Sequence, residues 1–235
     1  MKTQIDHLVV AAQNLAQGVQ WCESTLGITP STGGSHALFG THNLLFKIAT
    51  PANPMAYLEI IAIEPGAKGP TSPNAKRWFD LDDATLKSAI ANEPQLVHFV
   101  VNTNDIAAAR HALKALDIDR GPALTASRQT RKGLLQWQIT VREDGQRLFN
   151  GTLPTLIQWG TSGDPEPLRL HPRNSLPRSG ISLKNISISH PDAARLQAAY
   201  AAIGLTGVEV SDGLANIVAT LQTPKGLVQL HSRGI

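Results

Sequence analysis

Three segments of this chain repeat one pattern, in which a short apolar strand is followed by a polar turn and an amphipathic helix. The copies span residues 5–28, 96–118 and 183–205. Repetition on this scale means that the fold is assembled from copies of one unit, so matching positions can be compared within a single chain. One position stands out, because His7 and His98 occupy it in the first two copies and Asn185 occupies it in the third.

The segments after the helices complete each unit. Alternating apolar residues and glycine or proline turn signals predict three further strands after each of the first two helices, so each unit reads β-α-β-β-β. We expect an α+β fold with a first module and connector helix over residues 1–92, and a second module over 93–160. A proline-rich linker over 161–180 would then lead to a third, partial βαβββ-like module over 181–235.

Composition narrows the classes of partner. The net charge is +3 and the basic residues are scattered, which argues against a nucleic-acid partner. Neither a signal peptide nor an apolar run long enough for a membrane span is visible, so we expect a cytoplasmic location and no membrane partner. Cys22 is the single cysteine, which excludes an intramolecular disulfide and favours a buried structural thiol.

The closing strand of each unit carries one polar side chain among apolar neighbours, namely Glu59, Gln158 and Gln229. A carboxylate in a buried strand is costly unless it is paired or bound to a cation. If the first and last strands of a unit line one concave surface, His7 and Glu59 converge there. By the same logic His98 and Gln158 converge in the second unit.

A purely structural interpretation of these residues stays open. A lone strand histidine is usually a hydrogen-bonded structural residue, and a buried glutamate can pair with an arginine such as Arg128 or Arg131. Recurrence at matching repeat positions favours a functional set, because the structural interpretation would make that recurrence a coincidence.

These residues also resemble a known superfamily. The stretches Asp6–Val10, Trp21–Gly27 and Tyr57–Ile61 resemble a vicinal oxygen chelate module. Gly33–His36, Gly40–Asn43, Leu134–Trp137 and Leu153–Trp159 are similar to its glyoxalase-like branch. The resemblance is good over about residues 3–160 and looser in the C-terminal part.

The resemblance implies paired modules that form a cupped mixed sheet with a divalent metal ion in the cup. The implied ligands are His7, Glu59, His98 and Gln158, and the metal would be iron, manganese, nickel, cobalt or zinc. Gln158 departs from the more common glutamate and is a weaker ligand. Glu59 is then the one carboxylate of the set able to move a proton, so it is the predicted catalytic residue.

Other residues are candidates for contact with a substrate. His36 and Asn43 belong to a glycine-broken segment that permits close approach, and Arg131 and Trp137 would line the second module's half of the pocket. Alternatively, His36 and Asn43 satisfy backbone groups at a turn, and Trp137 is a core residue. The third module has Asn185 and Gln229, so we expect it to cover a sheet edge or to build a homodimer contact.

Two functional hypotheses follow. The first is a glyoxalase-like or dioxygenase-like enzyme that uses the metal to bind a small oxygen-rich substrate. The second is a metal-free protein of the same fold that binds or sequesters a small molecule. A structural or partner-binding role ranks last. Dinucleotide, phosphate-loop, nucleophile-elbow and zinc-protease motifs are absent from the sequence.

Overall fold

A computed structural model describes residues 2–72, 74–130, 133–160 and 171–235. The first module contains the strands β1 (Thr3–Ala11), β2 (Ser31–His36), β3 (Thr41–Lys47) and β4 (Tyr57–Ile63). Its helix α1 (Leu15–Trp21) continues as a π-helical segment, Cys22–Leu26. The connector to the second module holds a 3₁₀ turn, Trp78–Asp80, and the helix α2 (Ala84–Asn92).

The second module repeats this order with β5 (Gln95–Thr103), α3 (Ile106–Lys114), β6 (Ala123–Thr130), β7 (Gly133–Thr140) and β8 (Thr155–Trp159). Of the predicted linker, residues 161–170 lie outside the described residues, and a 3₁₀ helix, Pro172–Asn174, follows them. The C-terminal part contains β9 (Ser182–Ser189), α4 (Ala193–Ala202), β10 (Glu209–Ser211), β11 (Asn216–Thr223) and β12 (Gly226–His231). No helix within the described ranges is long and apolar enough to cross a membrane.

Local signals explain where the helices begin and end. The side chains of Asn14, Asp83 and Asp105 accept hydrogen bonds from backbone N–H groups in the first turns of α1, α2 and α3. Such caps satisfy donors that have no partner within the helix. The segment after α1 ends at Gly27, whose φ of 78° is a left-handed conformation that glycine adopts without steric cost.

The first two modules form one curved eight-stranded sheet in the order β2-β3-β4-β1-β5-β8-β7-β6. Strands β1 and β5 pair antiparallel and join the modules, whereas each pairs in parallel with the last strand of its own module. The predicted α+β fold with paired βαβββ modules is therefore confirmed.

The C-terminal part has a different strand order. Its four-stranded sheet runs β10-β9-β11-β12, so the last strand, β12, pairs with β11 and not with the first strand. Gln229 on β12 therefore does not occupy the position that Glu59 has on β4, although the sequence patterns look alike.

The two faces of the large sheet have different neighbours. Leu8 and Val10 of β1 pack in a core shared with the helices and the C-terminal sheet, whereas Val9 and Ala11 pack in a second core inside the cup. The β1–β5 pairing is irregular between Ile5 and His7. Simple alternation predicts that Ile5 shares a face with His7. Because of the irregularity, Ile5 instead packs with Leu8 on the helix side of the sheet.

Candidate functional site

Four polar side chains converge in the cup of the large sheet. They are His7 from β1, His36 from β2, Asn43 from β3 and Glu59 from β4, and they line a chamber of about 30 Å³. Its other walls are largely aromatic and aliphatic and include Tyr57, Trp78, Phe79, Trp137 and Trp159. The chamber is thus a small polar pocket in apolar surroundings, the usual composition of a ligand site.

A buried carboxylate holds the His7 ring. The Nδ1 atom of His7 lies 2.7 Å from Oδ1 of Asp6, which is fully buried. The other oxygen of Asp6 accepts hydrogen bonds from Nε2 of His171 at 3.0 Å, Nε1 of Trp159 at 2.9 Å and Nδ2 of Asn102 at 3.2 Å. Burial alone would raise the pKa of Asp6, but attraction and hydrogen bonds from His171 and His7 hold it well below its usual value.

The hydrogen-bond partners assign the ring protons. Nδ1 of His171 accepts from the backbone N–H of Arg173, so its Nε2 carries the proton that is donated to Asp6. Because an ionised carboxylate only accepts, the neutral His7 ring that fits it is protonated on Nδ1. The lone pair on Nε2 of His7 then faces the chamber, 3.6 Å from Oε2 of Glu59.

Glu59 is held from its other oxygen. Nδ2 of Asn43 donates to Oε1 of Glu59 at 2.5 Å, while Oδ1 of Asn43 accepts from the backbone N–H of Gly34 at 2.9 Å. These two bonds define which way the amide points. A Cβ atom on Gly33 would lie 1.9 Å from Oδ1 of Asn43, so this arrangement requires glycine at residue 33.

His36 completes the polar side of the chamber as a neutral group. Its Nε2 lies 3.3 Å from Nδ2 of Asn43 and 3.9 Å from Oε1 of Glu59. Burial and the neighbouring charge of Arg128 lower the pKa of His36 to about 4, against the opposing effect of Glu59. His36 is therefore uncharged at neutral pH.

His98 does not join this group. Its Nδ1 donates to the carbonyl of Gly151 at 2.7 Å, and its Nε2 accepts from the backbone N–H of Thr155 at 3.1 Å. Both ring nitrogens thus have partners within the protein. Burial, followed by the charge of Arg120, lowers the pKa of His98 well below its ordinary value, so the ring is neutral.

Strand register explains why the two modules differ. Glu59 lies opposite Val9 on β1, and the matching residue of β5, Val100, lies opposite Thr155. Thr155 therefore occupies the position in the second module that Glu59 occupies in the first. Gln158 lies on the helix side, where its Oε1 accepts from the backbone N–H of Ile106 at the start of α3, at 2.9 Å.

The implied set of four metal ligands is not assembled. Of the four residues, His7 and Glu59 face each other across the chamber, whereas backbone N–H groups occupy the acceptor atoms of His98 and Gln158. Among the described residues there is no group of three or more His, Cys, Asp or Glu side chains placed to hold a metal ion. The residues present do not fit the predicted four-ligand centre.

A larger groove opens beside the chamber. It has a volume of about 710 Å³ and shares the residues Leu45, Arg128, Leu135 and Pro172 with the chamber. Of the predicted substrate contacts, His36, Asn43 and Trp137 line the chamber, and Trp137 also packs in the cup core. Arg131 lies outside the described residues.

Several residues of the site were not predicted. His171 reaches Asp6 from 165 positions along the chain, and no local pattern marks it. Asp6 was visible beside His7, but strict alternation placed it on the opposite face. Tyr57 stacks on the His7 ring at 4.6 Å between centroids, and its place on the face of Glu59 was the signal that could have identified it.

Comparisons with known proteins agree with this architecture. The family model described as a glyoxalase-like domain matches residues 5–204. A hypothetical protein from Staphylococcus aureus is 17% identical, with a TM-score of 0.58 over 92% of this chain and 88% of that one. This likeness supports the same overall fold.

Two more distant structures have named activities. A methylmalonyl-CoA epimerase variant from Streptomyces coelicolor, in complex with 2-nitronate-propionyl-CoA, is 17% identical, with a TM-score of 0.41 over 70% of this chain and 100% of that one. A mutant of 4-hydroxymandelate synthase from the same organism is 10% identical, with a TM-score of 0.46 over 98% and 62%. No curated protein sequence matches the chain.

Proposed function

Because this chain belongs to the glyoxalase-like domain family, we propose that it is an enzyme that moves a proton on a small oxygen-bearing molecule held in the cup. The observation that carries the proposal is the geometry of His7. Asp6 holds its Nδ1 at 2.7 Å, and its Nε2 faces Oε2 of Glu59 at 3.6 Å inside an aromatic chamber. A histidine oriented by a buried carboxylate is an arrangement that enzymes use for general acid–base catalysis.

In this proposal His7 is the proton acceptor. Its Nε2 removes a proton from a carbon next to a carbonyl group, and the electron pair of the C–H bond moves toward the carbonyl oxygen. The negative charge of Asp6 stabilises the imidazolium that forms. The proton then returns from Nε2 to the former carbonyl carbon while Glu59 carries the hydroxyl proton from one substrate oxygen to the other, so the reaction is an isomerisation of a hydroxy carbonyl compound that needs no further reagent.

Glu59 is the second proton carrier. Asn43 holds its Oε1, which leaves Oε2 directed at the gap in front of His7. When His7 is unprotonated, both atoms that border this gap are acceptors, and a substrate hydroxyl or enol between them can donate to either one. The sequence predicted Glu59 as the catalytic residue. In the present proposal Glu59 and His7 share the proton transfer.

A metal centre formed by His7, Glu59, His98 and Gln158 is not part of this proposal, because backbone N–H groups occupy the acceptor atoms of His98 and Gln158. No step of the proposed reaction passes through a metal. A small-molecule binding protein is the second candidate. The aromatic lining of the chamber favours it, because such walls bind a ligand without chemistry. Turnover separates the two candidates.

The test is deuterium uptake from D₂O, followed by ¹H NMR on a panel of 2-oxo acids, 2-hydroxy ketones and acyl thioesters with acidic α-hydrogens. We expect the wild-type protein to exchange the α-hydrogen of one substrate class, and His7→Gln to lose that activity while its circular dichroism is unchanged. His111→Gln is the matched control, because His111 is exposed on α3. Exchange that persists in His7→Gln, or fails for the whole panel, would remove the support for an enzyme of this type.

A further inference from the structure

Arg128 connects the two edges of the eight-stranded sheet. It lies on the edge strand β6, and its guanidinium reaches Gly34 on the opposite edge strand, β2. A Cβ atom on Gly34 would lie 2.4 Å from Nη1 of Arg128, so any other residue at position 34 would displace the guanidinium. Gly34 and Arg128 together thus place a positive charge at the seam of the cup.

One buried nitrogen of the Arg128 guanidinium lacks a hydrogen-bond acceptor in the described part of the chain. Nη1 of Arg128 is buried, and among the described residues it has no hydrogen-bond partner and no ion pair includes Arg128. A buried donor on a charged group without a partner is costly. Such a group is expected where a ligand supplies the missing acceptor.

The cavities on both sides of Arg128 indicate the chemistry of that ligand. Arg128 lines both the chamber of about 30 Å³ and the groove of about 710 Å³. No Asp or Glu is among the described residues that line the groove, and Leu45, Leu135, Pro172 and Leu176 supply apolar walls. A guanidinium in such surroundings matches the planar, bidentate geometry of a carboxylate.

We propose that Arg128 is the binding group for a carboxylate on the substrate, whose apolar body lies in the groove and whose reacting carbon enters the chamber beside His7. This inference rests on the proposed function in one respect, namely that the bound carboxylate is a substrate. Binding of a carboxylate by Arg128 does not itself depend on turnover. The groove volume falls in the usual range for a small-molecule site, roughly 300–1,000 Å³. The chamber admits the reacting head of the molecule alone.

Isothermal titration with matched acid and amide pairs tests this assignment. The probes are 4-phenylbutanoate against 4-phenylbutanamide and octanoate against octanamide. A charge-assisted hydrogen bond to the buried Nη1 atom of Arg128 predicts that wild-type protein binds each acid about 10- to 100-fold more tightly than its amide. In Arg128→Gln this preference should disappear, and Arg128→Lys should retain part of it.

Two further variants make the test specific. Gly34→Ala should weaken acid binding as Arg128→Gln does, because the new methyl group displaces the guanidinium without removing it. Arg195→Gln removes the same charge from an exposed position outside both cavities and should keep the full preference.

Equal affinity for acid and amide, an unchanged preference in Arg128→Gln, or no binding of any probe would overturn the assignment. The proposed function fails separately. If acid binding depends on Arg128 but no substrate exchanges deuterium, the carboxylate site is supported and the proposed enzyme activity is refuted. If deuterium exchange requires His7 and is unchanged in Arg128→Gln, the enzyme activity is supported and the carboxylate site is refuted.

Discussion

Replacing Asp6 with asparagine tests whether the buried carboxylate sets the chemistry of His7. Three donors surround Oδ2 of Asp6, whereas Nδ1 of His7 lies 2.7 Å from Oδ1. The amide oxygen of Asp6→Asn will therefore take the Oδ2 position, and its NH₂ group will face Nδ1 of His7. His7 must then accept at Nδ1 and carry its proton on Nε2, which turns the base toward Glu59 in the wrong tautomer.

The size of the effect follows from these contacts. In a serine protease triad the equivalent change of tautomer lowers kcat by about 10⁴, so we expect α-hydrogen exchange to fall by about 10² to 10⁴. Hydrogen bonds to a charged group contribute about 1.5–3 kcal/mol each, but the variant also no longer buries a charge. We therefore expect the free energy of unfolding to fall by about 2–4 kcal/mol.

The assay pairs the exchange rate with urea unfolding, monitored by tryptophan fluorescence. Asn102→Ala is the matched control, because it removes one donor to Oδ2 of Asp6 and leaves the bond between Oδ1 and His7 intact. It should lose about 1 kcal/mol of stability and keep most of the rate. A folded Asp6→Asn protein whose rate stays within about threefold of wild type would refute the role of the tautomer.

Three shorter predictions test the surrounding structure. His98→Ala should lower the free energy of unfolding by about 2–4 kcal/mol, because the backbone N–H of Thr155 loses its acceptor. The preference for acid over amide in the titration should be unchanged. A variant of normal stability with altered binding would contradict this. Gly33→Ala should displace Asn43 and reduce exchange by the folded protein at least about tenfold. It should also lower the free energy of unfolding, because the new Cβ atom would lie 2.8 Å from the backbone carbonyl oxygen of Asn43. An unchanged exchange rate would argue against the Asn43–Glu59 contact. His36, whose pKa is lowered to about 4, binds its proton more readily when unfolded, so stability should fall by up to about 3 kcal/mol between pH 6.5 and 4. His36→Gln should flatten this slope in urea titrations, and a slope equal to that of wild type would refute it.

The repeated units were predictable because their signals are local. Hydrophobic alternation marks the strands, and the caps at Asn14 and Asp105 mark the helices, all within a few residues of the element concerned. The placement of His7 and Glu59 on one concave surface followed from the same alternation, because β1 and β4 belong to one module and pair directly.

The second half of the site was not predictable in this way. Side chains alternate with a period of two along a strand, so Gln158 and Trp159 must lie on opposite faces, and sequence similarity to Tyr57–Ile61 does not reveal which one faces the cup. The observed register places Thr155 opposite Val100 and turns Gln158 toward α3.

The chain's local patterns thus specify the modules, their order and the polar pair His7 and Glu59. Tertiary structure alone decides what surrounds that pair. An irregular pairing in β1 turns Asp6 into the cup, and His171 and Arg128 arrive from distant segments and from the opposite sheet edge. The physical reason is that local propensity acts over a few residues, whereas strand register and sheet closure depend on contacts between residues far apart in the sequence.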